Sequence, residues 1–247
     1  MHDLINKIFN EDCLEGMKRI PDKSIDMVLC DMPYGKTACK WDVVIDLEKM
    51  WIHINRIIKK NSAVILTSAQ PFTSILVCSN LKMFKYDWIW KKNKGVGHLY
   101  AKNQPLKDKE DILVFYKNKP TYNPQFTIGK PFGDKKGPDK ISANGSECYG
   151  KYKKINYPNK DGKRYPKQVI EFKVVERTIH PTQKPIALME YLIKTYSNEG
   201  DTVLDFCMGS GTTAIAAINT KRNYIGFEKD KTYYDLSLDR IKSHLTN

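Results

Sequence analysis

A doubly wound α/β domain, with a mostly parallel sheet, helices on both faces and a basic insertion, is the fold this 247-residue sequence predicts. Three observations carry the prediction. The first 90 residues alternate strand-like runs with helical periodicity, and the last 63 repeat that alternation, an order that builds parallel sheets. The stretch between them breaks from both flanks, and the length suits one large domain carrying an insertion.

In chain order, a helical stretch over 13–20 stops before Pro21, a turn follows at Asp22-Lys23-Ser24, and IDMVLC (25–30) is a buried-type strand. From Asp46 to Lys60, apolar residues fall at 47, 50, 51, 54, 57 and 58. This is helical spacing, with Asp46 as N-cap and basic residues in the last turn. AVILT (63–67) is a second buried strand, and FKYDWIWK (84–91) and EDILVFYK (110–117) are two more. Pro185 opens a helix whose apolar face is Ile186, Met189, Leu192, Ile193 and Tyr196. A strand over 202–206, a helix over 211–220, a strand over 223–228 and a helix from about Asp230 complete the chain.

The charge is uneven. Lys and Arg number 41 against 28 acidic residues, and residues 91–175 hold 20 of the basic ones and 8 of the acidic ones. Nearly all of the excess of 13 therefore sits in one central third, which points to a polyanionic partner. Within 118–175, Tyr, Asn, Gln and Gly interleave with Lys, a mixture suited to phosphate contacts plus stacking or base-edge contacts. The longest apolar runs are five residues, far short of the roughly 20 that span a membrane. MHDLINKIFNEDC lacks a signal-peptide layout. Six cysteines without a C-x-x-C pair argue against a disulfide scaffold or a structural zinc site, so a reducing cytoplasm and no metal are expected.

Two motifs carry chemistry. VLDFCMGSGTTA (203–214) reads as strand, tight glycine turn and helix start, with Gly209 and Gly211 allowing close backbone approach to a ligand. Glu228, at the end of the next strand, is placed to accept hydrogen bonds from ribose hydroxyls. The pattern fits an NAD site of the G-x-G-x-x-A kind, an S-adenosylmethionine (AdoMet) site, or a helix start that simply needs glycine. The second motif, Asp31-Met32-Pro33-Tyr34, leaves the strand 25–30 directly, and ligands in open α/β sheets bind beyond the carboxyl ends of strands. Taken alone it is an ordinary acidic-X-Pro turn.

Together, DMPY (31–34) and FCMGSG (206–211) resemble the hallmarks of the DNA amino-methyltransferases, D/N/S-P-P-Y/F and F-x-G-x-G. With the carboxylate motif first and the glycine loop last, the order resembles the circularly permuted β class. Asp12-Cys13, WIWKKN (88–93), EDILVFYK (110–117) and HPTQKP (180–185) also match, so the likeness covers nearly everything outside about 118–175.

The resemblance implies AdoMet as cofactor, held by Asp12, Cys13, Asp31, Thr182, Gln183, Asp205, Phe206, Gly209, Ser210, Gly211, Thr212 and Glu228. It implies Asp31, Met32, Pro33 and Tyr34 as the catalytic set, and double-stranded DNA as partner, with a homodimer left open. Residues 1–117 and 176–247 would form the catalytic domain and 118–175 the target-recognition region. Asp12 reads equally as a helix N-cap, Thr182-Gln183 as a proline-bounded turn, and Trp41-Asp42 either borders the base pocket or lies in a surface loop. His53 and His180 read as structural. Met32 stands where the family has proline, and a looser loop is expected there.

The implied activity is site-specific methylation of the 6-amino group of an adenine flipped out of the duplex, as in restriction-modification enzymes. Asp31 favours adenine, with the cytosine 4-amino group as alternative. No cysteine follows a proline, which disfavours thiolate chemistry at cytosine carbon-5. Readings of a different class are an NAD-dependent oxidoreductase and a catalytically silent DNA-binding protein; RNA or a protein amide as substrate is a further one.

Overall fold

The computed structural model describes residues 1–35, 42–132, 159–176, 178, 180 and 182–246. The chain divides into two compact units, 1–123 with 168–247, and 124–167.

The first unit contains strands β1 (Lys7–Phe9), β2 (Ile25–Cys30), β3 (Ile58–Ser68), β4 (Phe84–Val96) and β5 (Lys107–Phe115). Strands β6 (Thr127–Ile128) and β7 (Lys163–Arg164) belong to the second unit, and β8 (Val169–Glu171), β9 (Thr202–Asp205) and β10 (Asn223–Phe227) return to the first. The large sheet has the order β1-β10-β9-β2-β3-β5-β4-β8. From β1 through β3 every pairing is parallel, β5 is antiparallel to both of its neighbours, and β8 runs parallel to β4.

Successive side chains of a strand face opposite sides of its sheet. Val28 and Cys30 of β2 enter one core, with Met17 of α1 (Cys13–Lys18), Met50 and Ile54 of α2 (Leu47–Ile57), and Phe72 and Leu76 of α3 (Phe72–Ser79). Met27 and Leu29 enter the other. There they meet Leu188 and Leu192 of α4 (Ile186–Tyr196), Ile215 of α5 (Thr212–Asn219) and Ile241 of α6 (Lys231–Thr246). Helices thus cover both faces.

Two expectations shift. The helix from Asp46 has the expected cap, Asp46 accepting from the Lys49 N–H, but it ends at Ile57 and the chain passes directly into β3. Ile58 pairs with Ile25, so sheet formation takes over residues that also fit the helical period. Helix α3 was not read from the sequence: FTSILVCS is apolar almost throughout, lacks a charged stripe and has no side-chain cap.

The second unit is narrower than 118–175. Asn123 donates to the Lys194 and Ser197 carbonyls around the end of α4, and 169–171 join the sheet as β8. Within 124–167, β6 and β7 pair antiparallel, Phe126 meets Tyr165 edge-on and the Arg164 guanidinium covers Phe132. Residues 133–158 lie outside the described residues. Among the described residues, no helix is long and apolar enough to cross a membrane.

Candidate active site

Strands β2 and β9 are parallel neighbours, with Met27 opposite Val203 and Val28 opposite Leu204. Their carboxyl ends therefore lie side by side, and the two motifs issue from one edge of the sheet although 174 residues separate Asp31 from Asp205 in the chain. A cleft of about 1040 Å³ opens there. Asp12, Cys13, Asp31, Met32, Pro33, Tyr34, Thr182, Gln183, Asp205, Phe206, Gly209, Ser210, Thr212 and Glu228 all line it.

Gly211 stands between Ser210 and Thr212, which line the cleft, and is the N-cap of α5. At φ +76° it turns the chain into α5, and a Cβ there would come within 3.2 Å of Ser237 Cβ on α6. Its lack of a side chain serves the turn and the packing of α6. Gly209, at φ +51°, is the glycine that meets the cleft.

Asp31 is 18% exposed, and its carboxylate is already held by the protein. Oδ1 accepts from the Tyr34 hydroxyl at 2.9 Å and from the Thr67 hydroxyl, and the two hydroxyls are themselves 2.8 Å apart. Oδ2 accepts from Lys184 Nζ at 2.6 Å. A carboxylate offers about four lone-pair sites, so among the described residues one remains, on Oδ2. Tyr34 stacks on Phe72, and burial, followed by the nearby Asp31 charge, pushes its phenol up. The Met32 side chain is buried in the core beneath the loop.

On the opposite wall, Glu228 Oε2 accepts from the Gly209 N–H at 2.7 Å and Oε1 from the Asp230 N–H at 2.8 Å. Burial nevertheless dominates and raises its carboxyl above the ordinary value. Asp12 caps α1 by accepting from the Leu14 N–H at 2.9 Å, receives Lys229 Nζ at 3.1 Å, and faces the cleft as well. Asp12 thus caps α1 and lines the cleft at once. His180 Nδ1 lies 3.1 Å from Thr182 Oγ1, its ring packs on Tyr233, and the ring borders the cleft. Asp42 accepts from the Gly35 N–H and lines the cleft, whereas Trp41 and Pro181 lie outside the described residues. The Cys13 thiol is pushed up by its hydrogen bond to Cys207 and by burial, which suits packing rather than nucleophilic attack.

Asp205 sits beneath the turn, accepting from the Cys207 N–H at 3.0 Å and the Thr213 hydroxyl at 2.5 Å. Burial outweighs these bonds, and its carboxyl is pushed up to about 6. A raised folded-state value means that this group favours folding at low pH and that the benefit is lost as pH rises through about 6. Between pH 4 and 7.5 the parent should therefore lose on the order of 3 kcal/mol of stability relative to Asp205→Asn, whose amide does not titrate. Urea unfolding of both proteins at the two pH values checks this, and a pH-independent difference would contradict it.

Residues 25–239 match the family model for the N6/N4 methyltransferases, described as DNA methylase. The chain belongs to this family. The curated relatives of this DNA methylase include the type II methyltransferase M1.MboII of Moraxella bovis, 30% identical over 93% of this chain and 94% of that protein. The DNA adenine methyltransferase YhdJ of Escherichia coli K12 is 29% identical over 95% of this chain and 82% of that protein. Among solved structures, the M1.HpyAVI–SAM complex superposes with a TM-score of 0.64 at 25% identity, covering 95% of this chain and 98% of that one. The cytosine-N4-specific PvuII DNA methyltransferase, at 15% identity and a TM-score of 0.67 over 97% and 91%, shares the fold.

The DNA methylase family is AdoMet-dependent, which displaces the NAD reading of the glycine turn. The residues present fit that cofactor: a left-handed glycine, Gly209, in the turn before α5, a half-buried carboxylate, Glu228, that accepts from its N–H, and a cleft volume ample for a nucleoside and a base together. The DNA methylase site also contains groups that sequence reasoning left without a role, namely Thr67, Phe72, Lys92, Glu110 and Lys184. Lys184 and Glu110 stand inside HPTQKP and EDILVFYK, but neither motif says that its charged residue turns toward Asp31.

Proposed function

We propose that this DNA methylase transfers a methyl group from AdoMet to the 6-amino group of adenine in duplex DNA. The observation that carries the reading is Asp31 across one cleft from the Gly209–Glu228 pair, with an acceptor site of Oδ2 still available. Glu228 and Asp12 would bind the hydroxyl-rich nucleoside end of the cofactor. The N–H groups at the start of α5, with Thr182 and Gln183, would take its carboxylate end, since helix N-termini favour anions. When bound, AdoMet supplies a methyl group on a positively charged sulfur.

The exocyclic amine of adenine is a weak nucleophile because its lone pair is delocalised into the ring. Asp31 Oδ2 would accept one amine N–H and the Met32 carbonyl the other, turning the lone pair out of the ring plane and toward the methyl. Holding both reactants in line is the main catalytic device. The amine would give up one proton as it gains the methyl, the carbon–sulfur bond breaking to leave a neutral thioether, and Asp31 Oδ2 would accept that proton. Tyr34 would stack on the base after it leaves the duplex, releasing Oδ1 as it moves.

The carboxylate at position 31 and the adenine methyltransferase YhdJ among the relatives favour adenine over cytosine. Target recognition is assigned to 118–175, where Lys130, Lys163, Arg164, Lys167 and the exposed Tyr165 combine charge with a stacking surface. Incubation with labelled AdoMet and unmethylated duplexes of varied sequence, followed by digestion to nucleosides, tests the proposal. Label in N6-methyladenine is expected. Label in N4-methylcytosine overturns the choice of base, and label in neither overturns the activity.

A further inference from the structure

Four alternating charges stand in a row at the back of the cleft. Asp31 faces Lys184 at 2.6 Å, Lys184 faces Glu110 Oε2 at 3.3 Å, and Glu110 Oε1 accepts from Lys92. They come from the loop after β2, the loop before α4, β5 and β4. Lys184 is 5% exposed and Glu110 15%. Glu110 Oε2 is buried without a well-directed donor, so its tie to Lys184 is one of charge rather than a shaped hydrogen bond.

Burying such a row is unfavourable. Several kcal/mol of desolvation attend each buried ion, and apolar residues of equal volume are often the more stable choice. A row retained at the reaction point is better explained by what it does to Asp31. Resting on the proposed methyl transfer, we infer that Lys184 is a positioning residue for Asp31. Its ammonium holds Oδ2 in place and stands between Asp31 and Glu110, so that Oδ2 is kept as an acceptor aimed at the incoming amine. Burial disfavours the Lys184 ammonium, but Asp31 and Glu110 together outweigh that and raise its value. Lys184 is therefore charged throughout the working range. The other titratable groups facing this set are Lys92, Tyr34, His180, Asp205 and Cys30.

Without the ammonium, two carboxylates would confront each other in a poorly solvated space, an arrangement that favours one proton shared between them. With that proton on Asp31 Oδ2, the oxygen becomes a donor and repels the amine N–H it should accept. The decisive experiment is single-turnover methyl transfer from pH 6 to 9.5 by the parent, Lys184→Met and Lys184→Met/Glu110→Gln, alongside AdoMet affinity and thermal unfolding. Lys184→Met is expected to lower kcat at pH 7 by about 10²-fold, with AdoMet affinity changed far less, and to regain activity at high pH as the acid limb moves up. The double variant, which removes one charge of each sign, should recover about tenfold or more at pH 7.

A Lys184→Met loss that is equal at every pH and not relieved by Glu110→Gln marks a packing defect and overturns the inference, as does an unchanged kcat. If Lys184→Met does not fold, the double variant decides alone: transfer with a parent-like pH profile supports the inference, and a folded, AdoMet-binding but inactive protein refutes it. Failure of the parent to methylate DNA would instead strike the proposed function, so the two failures are distinguishable.

Discussion

Asp31→Ala is expected to lower kcat by about 10³-fold or more while AdoMet affinity changes by less than about tenfold. The split follows from where the side chain acts. In the proposed mechanism Asp31 meets the reacting amine, and the nucleoside end of the cofactor falls to Glu228 and Asp12. Removing the carboxylate takes away the acceptor that aligns the amine. It also leaves the Lys184 ammonium 2.6 Å from an empty position, with only Glu110 to balance it. In the proposed mechanism that uncompensated charge would lie near the cationic sulfur, and repulsion would account for the small affinity loss. Asp31→Asn should fall between the parent and Asp31→Ala: its amide oxygen still accepts, but its NH2 group opposes Lys184. Steady-state transfer measures kcat, single-turnover transfer isolates the chemical step, and titration calorimetry measures affinity. Asp31→Ala transferring at the parental rate would remove the carboxylate from the mechanism.

The parts of this molecule with a local signature were legible in the sequence. Strand β2, the capped helix α2, the β9–glycine turn–α5 unit and the helix opened by Pro185 all appear where periodicity and capping residues put them. The parts set by tertiary contact were not. Strand β1 is three residues long and exists because Lys7–Phe9 adds to the edge of β10. Helix α3 shows no amphipathic stripe, and β8 forms by lying beside β4. The site divides in the same way. DMPY and FCMGSG announce themselves, and a shared carboxyl edge for β2 and β9 follows once both are parallel strands of one sheet; that they are immediate neighbours is shown only by the pairing itself. Nothing local says that Lys184 and Glu110 converge on Asp31 from 153 and 79 positions away, or that Gly211 packs against Ser237 of α6. A pairwise tertiary contact leaves no periodicity for a single sequence to reveal.

Glu228→Ala is expected to weaken AdoMet binding by about 10²-fold, the second-largest effect foreseen, because two losses coincide. The carboxylate is the acceptor assigned to the cofactor hydroxyls, and hydrogen bonds to a charged acceptor contribute about 1.5–3 kcal/mol each. It also fixes the glycine turn through the Gly209 N–H at 2.7 Å, so its removal leaves that donor unpaired and the turn less defined. Glu228→Gln keeps one acceptor and most of the shape, and should bind at an intermediate level. The pH dependence separates charge from shape. Burial raises the Glu228 carboxyl, so protonation begins at a higher pH than for an exposed glutamate. A protonated Glu228 is a poorer acceptor for the cofactor hydroxyls and for Gly209. AdoMet affinity in the parent should therefore fall as pH is lowered from 8 to 5, with onset above the usual carboxylate range, and Glu228→Gln should not show this fall. Calorimetric titration of AdoMet into parent, Glu228→Gln and Glu228→Ala across that interval reads all three outcomes. Affinity that is level from pH 8 to 5 in the parent, or Glu228→Ala binding as tightly as the parent, would place the nucleoside end of the cofactor elsewhere in the cleft.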